Sequence, residues 1–330
     1  MYSLSQRLFI GLVFYLVYLF IFANSCFAKT NLNGESYYSL REVASKLRLK
    51  LHWNAQRTEV TLIGQNIRMS FLDKKRYVII DGIQIWLGRP MFLKKNELYI
   101  SENDFLKAIV PIVLPCNDLM PSKLFNIVID AGHGGHDEGT SNSEYEVKEK
   151  DLTLDLSMRL MEELEKLGYK VMLTRKEDQY ITLKDRCDFA NRVNADLLIS
   201  IHFNSVENGK KEVCGIETYI LSLEDHPSTS SHSISESDKV ALAGNKNDYW
   251  NALVAYNIQK NLINDLKAVD RGVKRARFAV LKTLNCPGVL VEAGFLSHPE
   301  ECQKISSSTY RQKIAQSIAA GVLSYQRKLN

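Results

Sequence analysis

Paired cysteines are the first thing that this sequence of 330 residues lacks. It has six cysteines and no Cys-x-x-Cys pair. Five of them follow Ala28, and an odd number without close pairs excludes both a disulfide framework and a zinc ribbon. We therefore expect these five to be small buried hydrophobic side chains, with at most one bridge, such as Cys286 to Cys302.

A strong excess of one charge is also absent. Lys and Arg number 42 against 38 Asp and Glu, which leaves a formal net charge of +4. That value is small for the length, so net charge gives no support to a nucleic-acid or membrane-surface partner. With 45% hydrophobic and 24% charged residues, the composition indicates a globular protein with room for two domains.

The amino terminus carries an apolar run that is short for a membrane span. One early positive charge, Arg7, precedes the uncharged residues 8–23, and small residues follow before Lys29. This order is typical of a secretory signal peptide over residues 1–28, whereas a spanning helix needs about 20 apolar residues. We expect an exported protein of the periplasm or cell envelope. An uncleaved signal that tethers the chain to the membrane is the alternative.

Residues 30–116 have the pattern of a small α+β domain. Apolar residues at helical spacing predict a short helix over 38–47, with Ser39 as its cap. Alternating stretches predict strands, and Asp81-Gly82 is a turn signal between two of them. The predicted strands are 59–63, 67–71, 77–80 and 98–101, and a second helix is predicted over 105–110.

Three stretches of this first domain resemble the copper amine oxidase N-terminal-like domain, a small module found attached to secreted bacterial enzymes. They are 38–44, His52-Trp53-Asn54 and Tyr99-Ile100-Ser101. The resemblance implies no copper, because His52 is the only histidine of the segment and one imidazole does not make a metal site. It implies an accessory role in targeting or wall contact, with a folding spacer as the alternative.

A second domain is predicted over residues 124–330. A linker at 117–123 precedes it, and three prolines, Pro111, Pro115 and Pro121, mark this region. Strand and helix patterns alternate along the second domain, which predicts an α/β fold built on a mostly parallel, twisted sheet with helices on both faces.

One stretch of the second domain breaks this alternation. Residues 222–248 are rich in Ser and Asp and predict a mobile surface loop. It is either a plain insertion or a lid that overhangs the cleft.

Three apolar strands of the second domain lead to residues suited to a metal site. His133 follows the strand that ends at Asp130, His202 ends the second strand, and Glu292 ends the third. In open α/β sheets, ligands collect outside the carboxyl ends of the strands, so we expect these side chains to meet. Catalytic zinc typically takes three protein ligands and leaves a position for water. Among the acids that follow His133, Glu149 is the best placed, and Glu146 remains open.

Five blocks of this domain look like the zinc-dependent N-acetylmuramoyl-L-alanine amidases of the cell-wall hydrolase type, in the family's order. The blocks are 127–135, 149–152, 199–202, 270–276 and 289–297. The resemblance implies one zinc ion held by His133, Glu149 and His202, with Glu292 as the catalytic carboxylate. The family's Glu-Lys pair falls on Glu149-Lys150, which selects Glu149. His136 falls at a variable position and is expected to be a bystander.

The resemblance implies hydrolysis of the amide that joins the lactyl group of N-acetylmuramic acid to the L-alanine of the stem peptide. Zinc can lower the pKa of its bound water from about 15.7 to about 7, and Glu292 would pass the water proton to the leaving amine. The alternatives are a related zinc peptidase or deacetylase, and a non-catalytic wall-binding protein. We expect peptidoglycan as the partner, no nucleic acid, and a monomer. A protein activator is left open.

Three further roles are predicted around this site. Asp130 is expected to orient His133 through the second ring nitrogen. Glu292 has an alternative role as a fourth ligand or as a partner of the ligands. A basic cluster is expected either to grip a stem-peptide carboxylate or to serve as surface charge. The cluster consists of Arg271, Lys274, Arg275 and Arg277.

Overall fold

A computed structural model describes residues 29–32, 34–115 and 124–329. The predicted signal peptide and the predicted linker 117–123 lie outside the described residues, as do Cys26 and Cys116. No helix in the described ranges is long and apolar enough to cross a membrane. The chain divides into two compact units, and residues 82–88 group with the second unit although the predicted first domain includes them.

The first unit is a small α+β body. Its strands are β1 (Thr30–Leu32), β2 (Glu35–Ser39), β3 (Lys50–Trp53), β4 (Glu59–Ile63), β5 (Arg68–Leu72), β6 (Tyr77–Ile80), β8 (Phe92–Lys94) and β9 (Glu97–Ser101), while β7 (Ile83–Trp86) belongs to the second unit. They pair antiparallel throughout, in the orders β1-β2-β9-β8 and β6-β5-β4-β3. The alternating apolar residues seen in the sequence form the buried side of these strands.

The helices of the first unit are short. Helix α1 (Leu40–Lys46) begins after Ser39, whose hydroxyl accepts a hydrogen bond from the Glu42 amide at 3.2 Å. The second predicted helix consists of α2 (Glu102–Asp104), a π-helical turn (Phe105–Ile109) and α3 (Val110–Val113). Pro111 is buried in the first turn of α3, where a missing amide hydrogen costs no helical bond. Its assignment to a linker was therefore wrong.

The second unit is built on a mixed sheet. Its further strands are β10 (Asn126–Ala131), β11 (Ser141–Asn142), β12 (Val147–Lys148), β13 (Lys170–Leu173), β14 (Leu197–Asn204), β15 (Ile216–Leu221), β16 (Asp270–Ala276) and β17 (Gly288–Phe295). The order is β13-β10-β14-β17-β15-β16-β7, with β11 and β12 forming a separate ribbon. The first four strands are parallel, and β15 then runs antiparallel to β17. The predicted α/β sheet is thus present, with one reversal.

Helices cover both faces of this sheet. They are α4 (Glu149–Lys166), α5 (Leu183–Arg192), α6 (Asp248–Leu266), α7 (Ala279–Lys282), α8 (Pro299–Ser306) and α9 (Ser308–Leu329). Val128, Leu198 and Leu290 share a buried cluster with residues of α5 and α7. On the opposite face, the Thr218 hydroxyl donates to Gln259 of α6 at 2.7 Å. The alternation of strand side chains thus separates two apolar layers.

The described cysteines are all free. Cys187, Cys286 and Cys302 are buried and Cys214 is half-buried. The suggested bridge between Cys286 and Cys302 is therefore wrong. Cys187 and Cys286 belong to the cluster under α5 and α7, where they act as small apolar side chains, as the sequence predicted.

Residues 222–248 pack against the sheet rather than projecting from it. They contain two 3-10 turns, Glu236–Lys239 and Ala243–Asn247. Asp238 is buried, and its carboxylate accepts a hydrogen bond from Nε of Arg277 at 3.0 Å. Many residues of the segment are exposed, in agreement with the predicted surface loop, while Thr229 and Asp238 bond to strand β16 and to the residue that follows it.

Candidate metal centre

The predicted site residues line one cleft of about 460 Å³ at the carboxyl ends of β10, β14 and β17. His133, Glu149, His202 and Glu292 all contribute to its walls. His202 and Glu292 are direct neighbours in the parallel pairing of β14 with β17, so their side chains emerge on the same face. Parallel strands therefore deliver these groups to one edge, as the sequence predicted.

His133 lies in a tight loop just after β10. Its backbone is left-handed, with a φ of 59°. For a residue with a Cβ this conformation costs about 1–2 kcal/mol, so surrounding contacts must hold it. One such contact closes the loop, because the Gly134 amide donates to the Asp137 carbonyl at 2.8 Å. The strained backbone turns the imidazole into the cleft.

His202 has room in the cleft because residue 132 is glycine. A Cβ at Gly132 would lie 2.5 Å from Cε1 of the His202 ring and 2.7 Å from its Nε2. Such distances are well inside ordinary carbon contacts. The glycine before His133 therefore serves the other histidine, on the neighbouring strand.

Glu149 is the first residue of α4 and is buried. Its Oε2 accepts a hydrogen bond from the Thr140 amide at 2.9 Å, and its Oε1 accepts one from the Phe203 amide at 3.1 Å. Burial by itself raises the pKa of this carboxyl group, but contacts with His133 and His202 outweigh burial and lower the pKa to about 2. The side chain is an anion fixed in place at neutral pH.

The three side chains converge on a single point. Oε1 of Glu149 lies 3.1 Å from Nε2 of His133 and 3.0 Å from Nδ1 of His202. One ligand atom from each of the three residues lies within 4.8 Å of the others. Ligand atoms about 2.0–2.1 Å from a tetrahedral zinc ion lie about 3.3 Å apart, and two imidazoles with one carboxylate are a common catalytic zinc set. The residues fit a divalent metal of this kind.

The partner of the second His133 nitrogen is Asp137, not Asp130. Oδ1 of Asp137 lies 2.9 Å from Nδ1 of His133, off the line of the ring N–H. Asp130 instead accepts hydrogen bonds from Arg186 and Ser200, at 2.7 Å and 2.8 Å. The prediction for Asp130 is therefore wrong, because its short side chain points under the loop rather than into it.

Glu292 reaches the cleft from β17 without joining the cluster of three. Its Oε2 is buried and has no hydrogen-bond partner among the described residues. Burial, together with the negative charges of Glu149 and Glu217, raises the pKa of this carboxyl group well above its ordinary value. A carboxylate in such surroundings accepts a proton readily.

The predicted basic cluster is internal and paired. Nε of Arg271 donates to Oε2 of Glu217 at 2.8 Å, and the Lys274 ammonium contacts the same oxygen. Lys274 and Arg275 are buried, and Arg277 bonds to Asp238. These residues neither line the cleft nor form a solvated surface, so both predicted roles are replaced by structural pairing.

Three other sequence candidates lie outside the cluster. His136 stacks on Tyr180 with ring centroids 4.1 Å apart, and Glu146 is exposed. No residue of 222–248 lines the cleft, so this segment is not a lid over it. It leaves β15 at Leu221, the end of the strand away from the pairing of Glu217 with Glu292.

Two contributors to the site, Asp137 and Arg186, were not predicted in these roles from the sequence. Asp137 follows His133 by four residues in a glycine-rich loop, and that spacing is a usable signal for a second-nitrogen partner. Arg186 donates to the His133 carbonyl at 2.8 Å from α5, across 53 residues of sequence. Nothing in its local sequence indicates that contact.

Two family models match the chain. One, described as N-acetylmuramoyl-L-alanine amidase, matches residues 127–324. The other, described as copper amine oxidase N-terminal domain, matches residues 22–109.

Relatives and solved structures match the second unit. N-acetylmuramoyl-L-alanine amidase AmiC of Escherichia coli is 31% identical over 220 residues, a match that covers 60% of this chain and 52% of AmiC. The chain therefore spans about half the length of that relative. The crystal structure of an N-acetylmuramoyl-L-alanine amidase from Clostridium difficile 630 aligns with a TM-score of 0.51 at 35% identity, covering 62% of this chain and 97% of that one. The CwlD amidase of Clostridioides difficile, solved in complex with the GerS lipoprotein, aligns with a TM-score of 0.51 at 29% identity, covering 61% and 98%.

Proposed function

The chain belongs to the N-acetylmuramoyl-L-alanine amidase family, and from this membership we propose that it hydrolyses the amide bond between N-acetylmuramic acid and the L-alanine of the stem peptide in peptidoglycan. The observation that carries the proposal is the convergence of His133, Glu149 and His202 beside Glu292 in one cleft. A chain of this family with that cleft has the groups that metal-assisted amide hydrolysis requires.

We propose zinc as the metal and His133, Glu149 and His202 as its ligands. The set has two neutral nitrogen donors and one anionic oxygen, and leaves a side open to the cleft. When bound, zinc supplies a water of lowered pKa and polarises the carbonyl of the scissile amide. Asp137 places a carboxylate oxygen 2.9 Å from the second nitrogen of His133, on the side where carboxylates commonly partner metal-bound histidines.

Glu292 moves the proton in this proposal. Its carboxylate takes a proton from the attacking water and gives it to the nitrogen of the leaving L-alanine. Burial and the neighbouring carboxylates favour the protonated form, so the group holds the proton between the two transfers. Its Oε2 has no other hydrogen-bond partner among the described residues that would compete for the proton.

The remaining parts of the chain extend this proposal. Export to the cell envelope follows from a substrate that lies there, and the first unit is proposed to contact the wall as an accessory domain. CwlD was solved in complex with the GerS lipoprotein, which supports a protein partner for this chain as well. The domain division at 116 and 124 and the signal peptide stay predictions.

The test is digestion of purified sacculi by the full chain and by Glu292→Gln, a variant that keeps the size and polarity of the side chain. We expect the parent to release stem peptides that begin with L-alanine and to leave glycan strands intact. The variant is expected to bind zinc near one equivalent and to release peptides at least about 10²-fold more slowly.

Other products would select the alternatives. Truncated peptides with intact lactyl amides indicate a peptidase, and released acetate indicates a deacetylase. Wall binding without release of any product by the parent would identify a non-catalytic binding protein.

A further inference from the structure

The backbone carbonyls of residues 131–133 accept hydrogen bonds from two buried arginines, Arg175 and Arg186. Arg186 donates from Nη1 to the Ala131 carbonyl at 2.7 Å and from Nη2 to the His133 carbonyl at 2.8 Å. Arg175 donates from Nε to the Ala131 carbonyl at 3.1 Å and from Nη2 to the Gly132 carbonyl at 2.8 Å. The segment that carries His133 is therefore bonded along its whole length.

Arg186 is itself fixed. Its Nη1 forms a buried ion pair with Oδ1 of Asp130 at 2.7 Å, and its Nε donates to the Ile181 carbonyl at 3.0 Å. Asp130 in turn accepts from Thr174 and Ser200, each at 2.8 Å. A guanidinium held on both sides offers donors in a fixed plane, which a flexible ammonium group does not.

Arg175 connects this segment to the start of α4. Its Nη2 donates to the Lys150 carbonyl at 2.7 Å as well as to Gly132. Lys150 follows Glu149 directly, so one guanidinium group bridges the segment that carries His133 and the residue next to Glu149. The bridge therefore links the two segments that carry these proposed ligands.

We propose that Arg175 and Arg186 are positioning residues for the metal centre. They hold His133 in its left-handed conformation and set its distance from Glu149, so that the ligands are arranged before the metal arrives. Arg186 also lines the cleft, so the role is tested by metal affinity rather than by turnover alone. The inference rests on the proposed zinc site, but not on the identity of the bond that is cleaved.

The experiment measures zinc affinity of the metal-stripped full chain by competition with a coloured chelator, for the parent, Arg186→Lys and Arg175→Lys. Lysine keeps the charge but cannot serve several carbonyls in one plane. Loss of such outer partners typically costs about 10- to 100-fold in metal affinity, and we expect a loss of that size. Peptide release by Arg186→Lys should recover when zinc is raised to saturation.

Arg275→Lys is the matched control. Arg275 is as buried as Arg175, at 3% exposure each, and donates to the Leu221 carbonyl from β16, away from the cleft. We expect its thermal unfolding midpoint to shift as much as those of the other two variants. Its zinc affinity should stay within about twofold of the parent's, well below the 10- to 100-fold loss expected for a residue that supports metal ligands.

Several results would overturn the proposal. Equal losses of affinity in Arg186→Lys and Arg275→Lys would assign Arg186 to general stability, and so would failure of both site variants to fold. A parent chain that binds no zinc would refute the proposed metal and the positioning role together. Failure of the proposed reaction is detected separately, because it appears as zinc binding without release of peptides by the parent.

Discussion

Replacement of Gly132 by alanine should displace His202, a proposed metal ligand, without substituting any of the proposed ligands. The new Cβ would lie 2.5 Å from Cε1 of His202, whereas carbon atoms in contact lie about 3.5–4.0 Å apart. It would also lie 2.7 Å from the backbone carbonyl oxygen of Ile201, the residue before His202. The ring and the adjoining backbone must therefore move away by about 1 Å, and metal–ligand distances tolerate only about 0.2 Å. His202 would then no longer reach a metal held by the other two residues. We expect zinc affinity to fall at least about 100-fold, which equals about 2.7 kcal/mol.

The assay is chelator competition on the metal-stripped chain, with thermal unfolding measured in parallel. Gly168→Ala is the control for a loss of stability without a clash. A Cβ at residue 168 has nothing within 4 Å, but the backbone φ of +88° makes the substitution strained. That variant should lose about 1 kcal/mol of stability and keep its zinc affinity. If Gly132→Ala binds zinc within threefold of the parent, the close approach of Gly132 and His202 does not position the ligand, and the reasoning is wrong.

Three further perturbations follow from the same structure. Asp137→Asn should weaken zinc binding about tenfold, measured by the same competition, because the partner of the second His133 nitrogen loses its charge. Leu156→Ala should lower the free energy of unfolding by about 2–5 kcal/mol in denaturant titrations, since Leu156 is fully buried, whereas Leu167→Ala, at 44% exposure, should change it far less. Burial raises the pKa of Asp155, but hydrogen bonds from Arg159 and Arg311 outweigh burial and lower that pKa below its value in the unfolded chain. Its stabilisation is complete above about pH 4 and is lost as the pH falls through the folded pKa, so Asp155→Asn should flatten the acid limb of the unfolding curve.

The residues of the cleft were predictable because their positions depend on strand ends. Apolar runs identify β10, β14 and β17, and parallel pairing brings the residues that follow them to one edge. The choice between Glu149 and Glu146 came only from the family resemblance. In the structure, the start of α4 buries the first and leaves the second exposed.

Long-range polar contacts were not predictable in this way. Strand β16 holds four charged residues, and its sequence lacks the apolar pattern of a buried strand. It is buried nevertheless because Glu217 on the adjacent strand supplies the opposite charge for Arg271 and Lys274. The predicted role of Asp130 was wrong for a similar reason, because its partner Arg186 is 56 residues away in the sequence.

The reversal of β15 had a signal that was available. Two parallel strands of one sheet need a crossover between them, usually a helix, and no helix lies between β14 and β15 along the chain. The direction of β15 also decides at which end of the sheet residues 222–248 begin.

Because β15 is reversed, the connections before and after it lie at opposite ends of the sheet, so insertions in them have different effects on the cleft. Residues 205–215 connect β14 to β15 at the end where Glu217 meets Glu292, and Ser205 lines the cleft. Lengthening this connection is therefore expected to change the wall of the cleft at Ser205. Residues 222–248 begin at the far end of β15, away from the pairing of Glu217 with Glu292. In this chain, a change in 205–215 thus acts at the end of the sheet that carries the cleft, whereas a change in 222–248 starts from the opposite end of β15.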